Sequence, residues 1–452
     1  MPYPQTIQYL DSFINYEKKT DYRYKQSLKL ERIREFLKDI GNPQESLKCI
    51  HVAGTKGKGS VCIFTAHVLR DAGYKVGLYT SPHFSSVRER IRVLSCGDSA
   101  DTDFPGMIPE KELEELVTEL KPQIDSYNAV SLYGPLTFFE VYTALALLYF
   151  KRKEVDFAVL ETGLGGKLDA TNVVNPLICS ISSISYDHMQ QLGSTLYQIA
   201  KEKCGIIKKN SLVVSAAQND EAMQVIREVV FEQEARLYTV GKDLNLQILN
   251  NNLSYQEFNL KSELGELNSL KVKLLGKHQI DNASVAVGLL LGLKKYHKVA
   301  ISEDAFKKGL LSASWPGRFE IISENPRIIL DGAHNADSAR ALKDTIGDYF
   351  PGKEVILVLG VSKDKDIKGI CRYLIPLANK IILTRAGNNR SIDPGELLSF
   401  LEGLTDVKPQ VFSNVKEALE KAKDISEQDN LILVSGSLYL VAEARELILR
   451  ES

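Results

Sequence analysis

Several things are missing from this chain, and each absence removes a class of protein. No run of about 18 consecutive apolar residues occurs, so no membrane span is expected. Met1-Pro2-Tyr3-Pro4-Gln5 has no basic stretch leading into an apolar one, so no secretory leader is expected either. The six cysteines, Cys49, Cys62, Cys96, Cys179, Cys204 and Cys371, include no C-x-x-C pair. That pattern argues against a zinc site or a disulfide framework and for reduced thiols in a cytoplasmic protein. No sign of charge dominates: 56 basic against 58 acidic side chains leave a net charge of −2. Neither a broad nucleic-acid-binding surface nor an acidic disordered chain fits that balance. No low-complexity segment or short-period repeat appears.

What is present is material for more than one core. The chain has 452 residues, 44% of them apolar, and a single core stops growing near roughly 250–300 residues. Residues 1–45 read as helical. Cys49–Ala53 then reads as a strand, Gly54–Ser60 as a turn, and Val61, Phe64, Val68 and Leu69 recur at helical spacing up to Gly73. With a strand over 75–80 this makes a βαβ unit, the building block of parallel sheets. Residues 138–150 are apolar almost all round and predict a buried helix. Strands are predicted over 157–160 and 177–184, an antiparallel excursion over 236–275, and a helix over 281–293. A second series has strands at 327–331, 354–359, 380–384 and 430–434, with a helix from Ser338. Ser314-Trp315-Pro316-Gly317 is the linker candidate. The expected domains are therefore 1–314 and 315–452, both α/β with doubly wound, mainly parallel sheets.

The chemistry concentrates at strand ends. Gly54-Thr55-Lys56-Gly57-Lys58-Gly59-Ser60 joins a strand to a helix, where backbone N–H groups and the helix N-terminus cradle anions. Lys58 adds a mobile positive charge. The strict phosphate-loop spacing is not met, because Val52 stands at its first glycine and Gly59 at its metal-binding hydroxyl. A ligand-free glycine turn is the alternative. Other metal ligands are then needed, and Ser81, Glu161 and His188 each follow a predicted strand. A strand-end carboxylate beside a phosphate loop suits Mg²⁺. Imidazole is a less usual Mg²⁺ ligand, so His188 reads equally as a turn histidine.

These residues resemble a known family. His51-Val52-Ala53-Gly54-Thr55-Lys56-Gly57-Lys58-Gly59-Ser60 and Leu160-Glu161-Thr162-Gly163-Leu164-Gly165-Gly166-Lys167-Leu168-Asp169-Ala170-Thr171-Asn172 are similar to segments of folylpolyglutamate synthases and dihydrofolate synthases, relatives of the Mur ligases. Thr80-Ser81-Pro82-His83, Asp187-His188, Glu202-Lys203-Cys204-Gly205, His278-Gln279, Asn282-Ala283, Pro316-Gly317-Arg318-Phe319 and Asp331-Gly332-Ala333-His334-Asn335 follow in the family's order, from about residue 8 to 445.

The resemblance implies an N-terminal phosphate-loop ATPase domain and a smaller, Rossmann-like glutamate-ligase domain. Gly57, Lys58, Gly59 and Ser60 would bind the ATP phosphates, with Asn282, Arg318 and Asp331 as further nucleotide contacts. Ser81, Glu161, His188 and Lys203 would surround one or two Mg²⁺ ions. Lys203 matches a lysine that carries a carbamate, and Cys204 stands where alanine is usual. Lys58, Glu161, His188 and Lys203 would form the catalytic group. Thr137, Phe138, Phe139, Glu140 and Asp169 match the pterin-binding region, while His334 and Ser437 would help place L-glutamate.

The implied reaction is ATP-dependent addition of L-glutamate to dihydropteroate, to the γ-carboxylate of folate polyglutamates, or to both, through an acyl phosphate. The 136–140 segment and Asp169 lean towards the bifunctional enzyme, and Lys56 leans towards polyglutamylation alone. Residues 1–45 look too short for the uridine-nucleotide module of a cell-wall ligase. The expected partners are small molecules, without nucleic acid or membrane, and a cytoplasmic monomer is the expectation.

Overall fold

The computed structural model describes residues 1–17, 19, 22, 24–98, 103–427 and 429–451. Residues 18, 20, 21 and 23 of the helical leader lie outside the described residues. Two compact units emerge. One comprises Met1–Asn251, Gln256–Lys273 and Gln279–Ser314; the other comprises Asn252–Tyr255, Leu274–His278 and Trp315–Ser452.

The first unit holds strands β1 (Cys49–Ala53), β2 (Val76–Tyr79), β3 (Ile91–Leu94), β4 (Phe157–Glu161), β5 (Ile178–Ile181), β6 (Leu212–Ser215) and β7 (Arg236–Thr239) in one sheet, ordered β3-β2-β4-β1-β5-β6-β7. Every pairing is parallel except β2 with the edge strand β3. β1, β2, β4, β5 and β6 are buried along their whole length. Continuous apolar runs such as Phe157–Leu160 are what a sheet covered on both faces requires. On one side Cys49, Tyr79, Ala158 and Leu160 join Ile33, Phe36, Leu120 and Leu145 in one apolar cluster. A second cluster joins Ala53, Ile181 and Val213 to Ile199, Val225 and Ile226.

The helix Phe138–Arg152 is buried almost all round, as its apolar run predicts. The helix Lys58–Asp71 starts at the glycine turn and closes with Gly73 N–H on the Arg70 carbonyl. The sequence reading has no element at Glu110–Val130, where the structure has a long helix. Its buried stripe of Leu113, Leu116, Val117, Leu120, Ile124 and Tyr127 has helical spacing, so the signal was present. The antiparallel excursion is shorter than expected. β7 belongs to the main sheet and runs parallel to β6. Only β8 (Asn245–Asn251), β9 (Gln256–Ser262) and β10 (Gly265–Val272) form the antiparallel sheet. Alternation marks a half-buried strand but does not name its partner.

The second unit carries β11 (Glu320–Glu324), β12 (Arg327–Asp331), β13 (Val355–Leu359), β14 (Lys380–Leu383), β15 (Gln410–Val411) and β16 (Leu431–Ser435), ordered β11-β12-β16-β13-β14-β15. β11 is its antiparallel edge. No helix among the described residues is long and apolar enough to cross a membrane. Five cysteines are buried thiols and Cys96 is exposed.

One close approach tests the first unit's packing. A Cβ on Gly309 would sit 2.4 Å from the Val68 Cα, on the helix that starts at the glycine turn. Gly309→Val should therefore cost about 1–3 kcal/mol by overpacking, read as a lower urea midpoint with an unchanged slope.

Candidate functional site

The site begins where β1 ends. β1 pairs with β4 through Val52↔Glu161 and with β5 through Ala53↔Ile181, so three strand ends deliver their loops side by side. Gly54 and Gly57 have φ of 153° and 81°. A Cβ on Gly54 would lie 1.9 Å from Ser182 Oγ, and one on Gly57 would lie 2.0 Å from Asn282 Oδ1. Both positions therefore demand glycine, for conformation and for space. The Thr55 and Lys56 amides donate to the Ser183 carbonyl at 2.8 and 3.1 Å, and Ser182 Oγ donates to the Lys56 carbonyl at 2.7 Å. These bonds pin the loop to the end of β5. They also take two amides out of any anion cradle. What the loop offers is the start of the helix over Gly57, Lys58, Gly59 and Ser60, whose first amides have no intrahelical acceptor. Lys58 Nζ folds back to 3.5 Å from the Thr55 carbonyl.

Glu161 is buried at the end of β4, and its Oε2 accepts the Ser81 amide at 3.0 Å. That bond ties the loop after β2 to the strand that runs beside the glycine turn. His188 has a left-handed backbone, and its half-exposed ring faces Asp187 at 3.8 Å. Asp187 also pairs with Lys56 at 2.8 Å. Among the described residues no group of three His, Cys, Asp or Glu side chains stands close enough to hold a metal. Glu161 and Ser81 supply a carboxylate and a hydroxyl, two hard oxygen donors. That fits Mg²⁺, which usually takes one or two carboxylates and completes its shell with substrate phosphates and water.

Lys203 is buried, with Nζ donating to the Gly54 carbonyl at 2.7 Å. Burial, reinforced by the Lys58 charge, lowers its pKa to about 7, against an opposing pull from Asp187. An amine that is substantially neutral near pH 7 is a nucleophile. Its helix ends against the 163–172 loop, since Lys167 N–H donates to the Glu202 carbonyl at 2.8 Å. Asp169 organises that loop from within. Its Oδ2 accepts the Gly163 and Leu164 amides at 2.8 and 2.9 Å, and Oδ1 accepts the Thr171 amide and hydroxyl at 3.0 and 2.5 Å. Burial raises its pKa, and those bonds oppose the rise.

The expected pterin group divides. Thr137 and Glu140 form a capping box at the start of the helix 138–152, and Glu140 accepts Arg32 Nε at 2.9 and 2.8 Å in a buried ion pair. Phe138 is core, beneath the Arg90 guanidinium at 5.3 Å. These three residues are buried and hold the helix. Asp169 is likewise a loop anchor. Phe139 differs: it is only partly buried and packs where a Cβ on Gly163 would come within 2.7 Å of its ring.

In the second unit Asp331 ends β12 opposite Ser435 of β16. Its oxygens accept the Phe319 and Ala333 amides, each at 2.9 Å. Burial raises its pKa, and Arg318 pulls it back down. Arg318 also donates to the Gly332 carbonyl at 3.3 Å. His334 Nδ1 stands 2.8 Å from the same carbonyl, so Nδ1 carries the proton. Ser437 Oγ accepts the Tyr439 amide and opens the last helix. Asn282, in the first unit, lies against Gly57 and donates to Gln279 at 3.1 Å.

The sequence reading has no role for Glu17, Glu89 or Arg90. Glu89 accepts the Phe84, Ser85 and Ser86 amides at 2.6, 2.8 and 2.5 Å, and Arg90 is 1% exposed. Side chains that act by gripping a loop leave no spacing signal.

The Mur ligase middle domain matches residues 115–290, and the Mur ligase glutamate ligase domain matches residues 317–438. A Bacillus subtilis (strain 168) dihydrofolate synthase/folylpolyglutamate synthase is 34% identical over 421 residues, covering 92% of this chain and 94% of the relative. A probable bifunctional folylpolyglutamate synthase/dihydropteroate synthase of Haloferax volcanii is 37% identical over 422 residues. The match takes in 92% of this chain, which spans about half that relative's length, 48%. A solved structure, the Mycobacterium tuberculosis folylpolyglutamate synthase complexed with ADP, superposes with a TM-score of 0.87 at 28% identity, over 99% of this chain and 98% of that one.

Glu140→Ala leaves Arg32 buried without its carboxylate. The expected cost is about 3–5 kcal/mol of unfolding free energy, seen as a lower denaturant midpoint. An unchanged midpoint with lost turnover would return Glu140 to the substrate surface.

Proposed function

We propose that this chain, which belongs to the Mur ligase family on its dihydrofolate synthase/folylpolyglutamate synthase branch, is an ATP-dependent ligase joining L-glutamate to a pteroate or folate carboxylate. The observation that carries the reading is the glycine turn at the end of β1, with Glu161 and Lys203 at its flanks. That the Mycobacterium tuberculosis relative is complexed with ADP supports an adenine nucleotide as a ligand.

A carboxylate is a poor acyl donor. Passing the γ-phosphoryl group of ATP to it gives an acyl phosphate and ADP, a transfer that needs positioning and charge neutralisation. The helix start at Gly57–Ser60 supplies backbone donors and a positive dipole end. Among the described residues Lys58 Nζ has one long contact, to the Thr55 carbonyl, so it can swing onto the phosphates. Glu161 and Ser81 would hold Mg²⁺, which neutralises phosphate charge when bound. The glutamate amine then attacks the acyl carbon, loses a proton, and phosphate leaves through a tetrahedral intermediate. Phe139, beside Gly163, is the side chain of its segment open to a flat ring. Asp169 keeps that wall in place from behind. In the second unit His334 and Ser437 follow the ends of β12 and β16, and they are the proposed aids to placing glutamate.

Lys203 is the proposed carbamate lysine. Carbamylation needs a neutral amine, and burial against Gly54 provides one. The product would carry a carboxylate-like group able to bind a second Mg²⁺. The bifunctional activity is the reading adopted for the acceptor. Lys56 gives no argument for polyglutamylation alone, because its ammonium is paired with Asp187.

Lys58→Ala should abolish glutamate-dependent ADP release with both dihydropteroate and tetrahydrofolate while the unfolding midpoint stays within error. Ligation persisting in that variant would sink the phosphate-loop assignment. For Lys203, labelled bicarbonate should give a carbamate carbon resonance that is missing in Lys203→Ala. Its folded-state pKa is lowered to about 7. The signal should therefore strengthen as pH rises through that value and fade below it.

A further inference from the structure

Arg90 is a buried cation for which the proposed chemistry has no use. It is 1% exposed, and such a charge is costly unless paired and fully hydrogen-bonded. Its two terminal nitrogens grip Glu17, Nη1 to Oε1 at 2.9 Å and Nη2 to Oε2 at 2.5 Å. This is the bidentate fork that guanidinium and carboxylate share. Its Nε donates to His83 Nδ1 at 3.0 Å. A guanidinium only donates, so His83 Nδ1 must accept, which puts the proton of the neutral ring on Nε2. The same guanidinium lies 5.3 Å from the ring centre of Phe138 and 5.7 Å from that of Tyr142, a cation–π geometry.

One side chain thus joins three pieces of the first unit. Glu17 belongs to the segment after the first helix, His83 to the loop after β2, and Phe138 to the start of the helix that carries Phe139. The loop after β2 also carries Ser81, bonded to Glu161. Its far end is held by Glu89, which collects the Phe84, Ser85 and Ser86 amides. Arg90 thereby links the middle of that loop, at His83, to the helix bearing Phe139.

We infer that Arg90 is a positioning residue for the pteroate or folate acceptor: through Glu17, His83 and Phe138 it sets the distance between the Ser81–Ser86 loop and Phe139. The inference rests on the acceptor reading given above, and it concerns acceptor affinity more than nucleotide handling. The Gly54–Ser60 loop is pinned independently, by Ser182 and Ser183.

The test uses the full chain with Glu17→Gln, Arg90→Lys, His83→Leu and His83→Gln. Glu17→Gln weakens the fork without emptying the core, Arg90→Lys keeps the charge but loses the Nε donor, and His83→Gln keeps an acceptor for it. Expected is a rise of about tenfold in KM for dihydropteroate or tetrahydrofolate in the first three, the scale of one lost charge-assisted contact. KM for ATP should stay within about twofold, and His83→Gln should recover most of the loss. Equal rises in both KM values, or unchanged acceptor KM in Glu17→Gln, would overturn the inference. Nitrogen NMR of the His83 ring reads the clamp without any substrate. The wild type should show an unprotonated, hydrogen-bonded Nδ1 that is lost in Arg90→Lys, and a protonated Nδ1 in the wild type would also overturn it. Should the wild type ligate no acceptor, the proposed function fails while the ring measurement still decides whether the clamp exists.

Discussion

The first unit depends on the double parallel pairing of β1. Cys49–Ala53 lies between β4 and β5, with Val52 opposite Glu161 and Ala53 opposite Ile181. Parallel strands end at the same edge of a sheet. The glycine turn, the Glu161 carboxylate, the Ser182 hydroxyl and the Ser183 carbonyl therefore arrive together, without further design. A shift of one residue would turn every side chain to the other face and would part Val52 from Glu161 and Ala53 from Ile181.

Around that edge, buried charge organises loops. Asp169 collects amides from Gly163, Leu164 and Thr171. Glu89 does the same for Phe84–Ser86. Lys203 fastens the end of its helix to the Gly54 carbonyl. Arg32 with Glu140, and Arg90 with Glu17 and His83, tie the helix 138–152 to the amino-terminal segment and to the β2 loop. A loop over a parallel sheet has many backbone donors and few partners in regular structure. A buried carboxylate satisfies several at once, and the low dielectric strengthens each bond. The glycine turn is thus flanked by ionic groups that hold loops and helix ends in place.

That arrangement explains how much of the site was legible in the sequence. Lys58 and the helix start it belongs to were legible, because a strand, a glycine turn and an apolar helical stripe follow in register. Glu161 was legible as the polar end of a buried strand. Thr137, Phe138 and Glu140 were legible only as a segment, and the buried contacts they make were not. A capping box with a buried partner 108 residues away looks in sequence like any Thr-x-x-Glu. β7 was misread for a related reason, since its alternation carries no record of its parallel neighbour. The helix Glu110–Val130 had a periodic stripe that the reading passed over.

The sequence by itself determined the α/β class, the strand–turn–helix units, the glycine positions and the order of the family's motifs. All of these are local, set by hydrophobic period and by the conformations that glycine alone adopts. Tertiary structure alone decided which charged side chains are buried and what each one is bonded to. It put Lys203 on a carbonyl 149 residues distant and Glu17 on a guanidinium 73 residues away. Burial and partnership are properties of the packed chain, and they turn an ordinary lysine into a near-neutral amine and an ordinary arginine into a clamp.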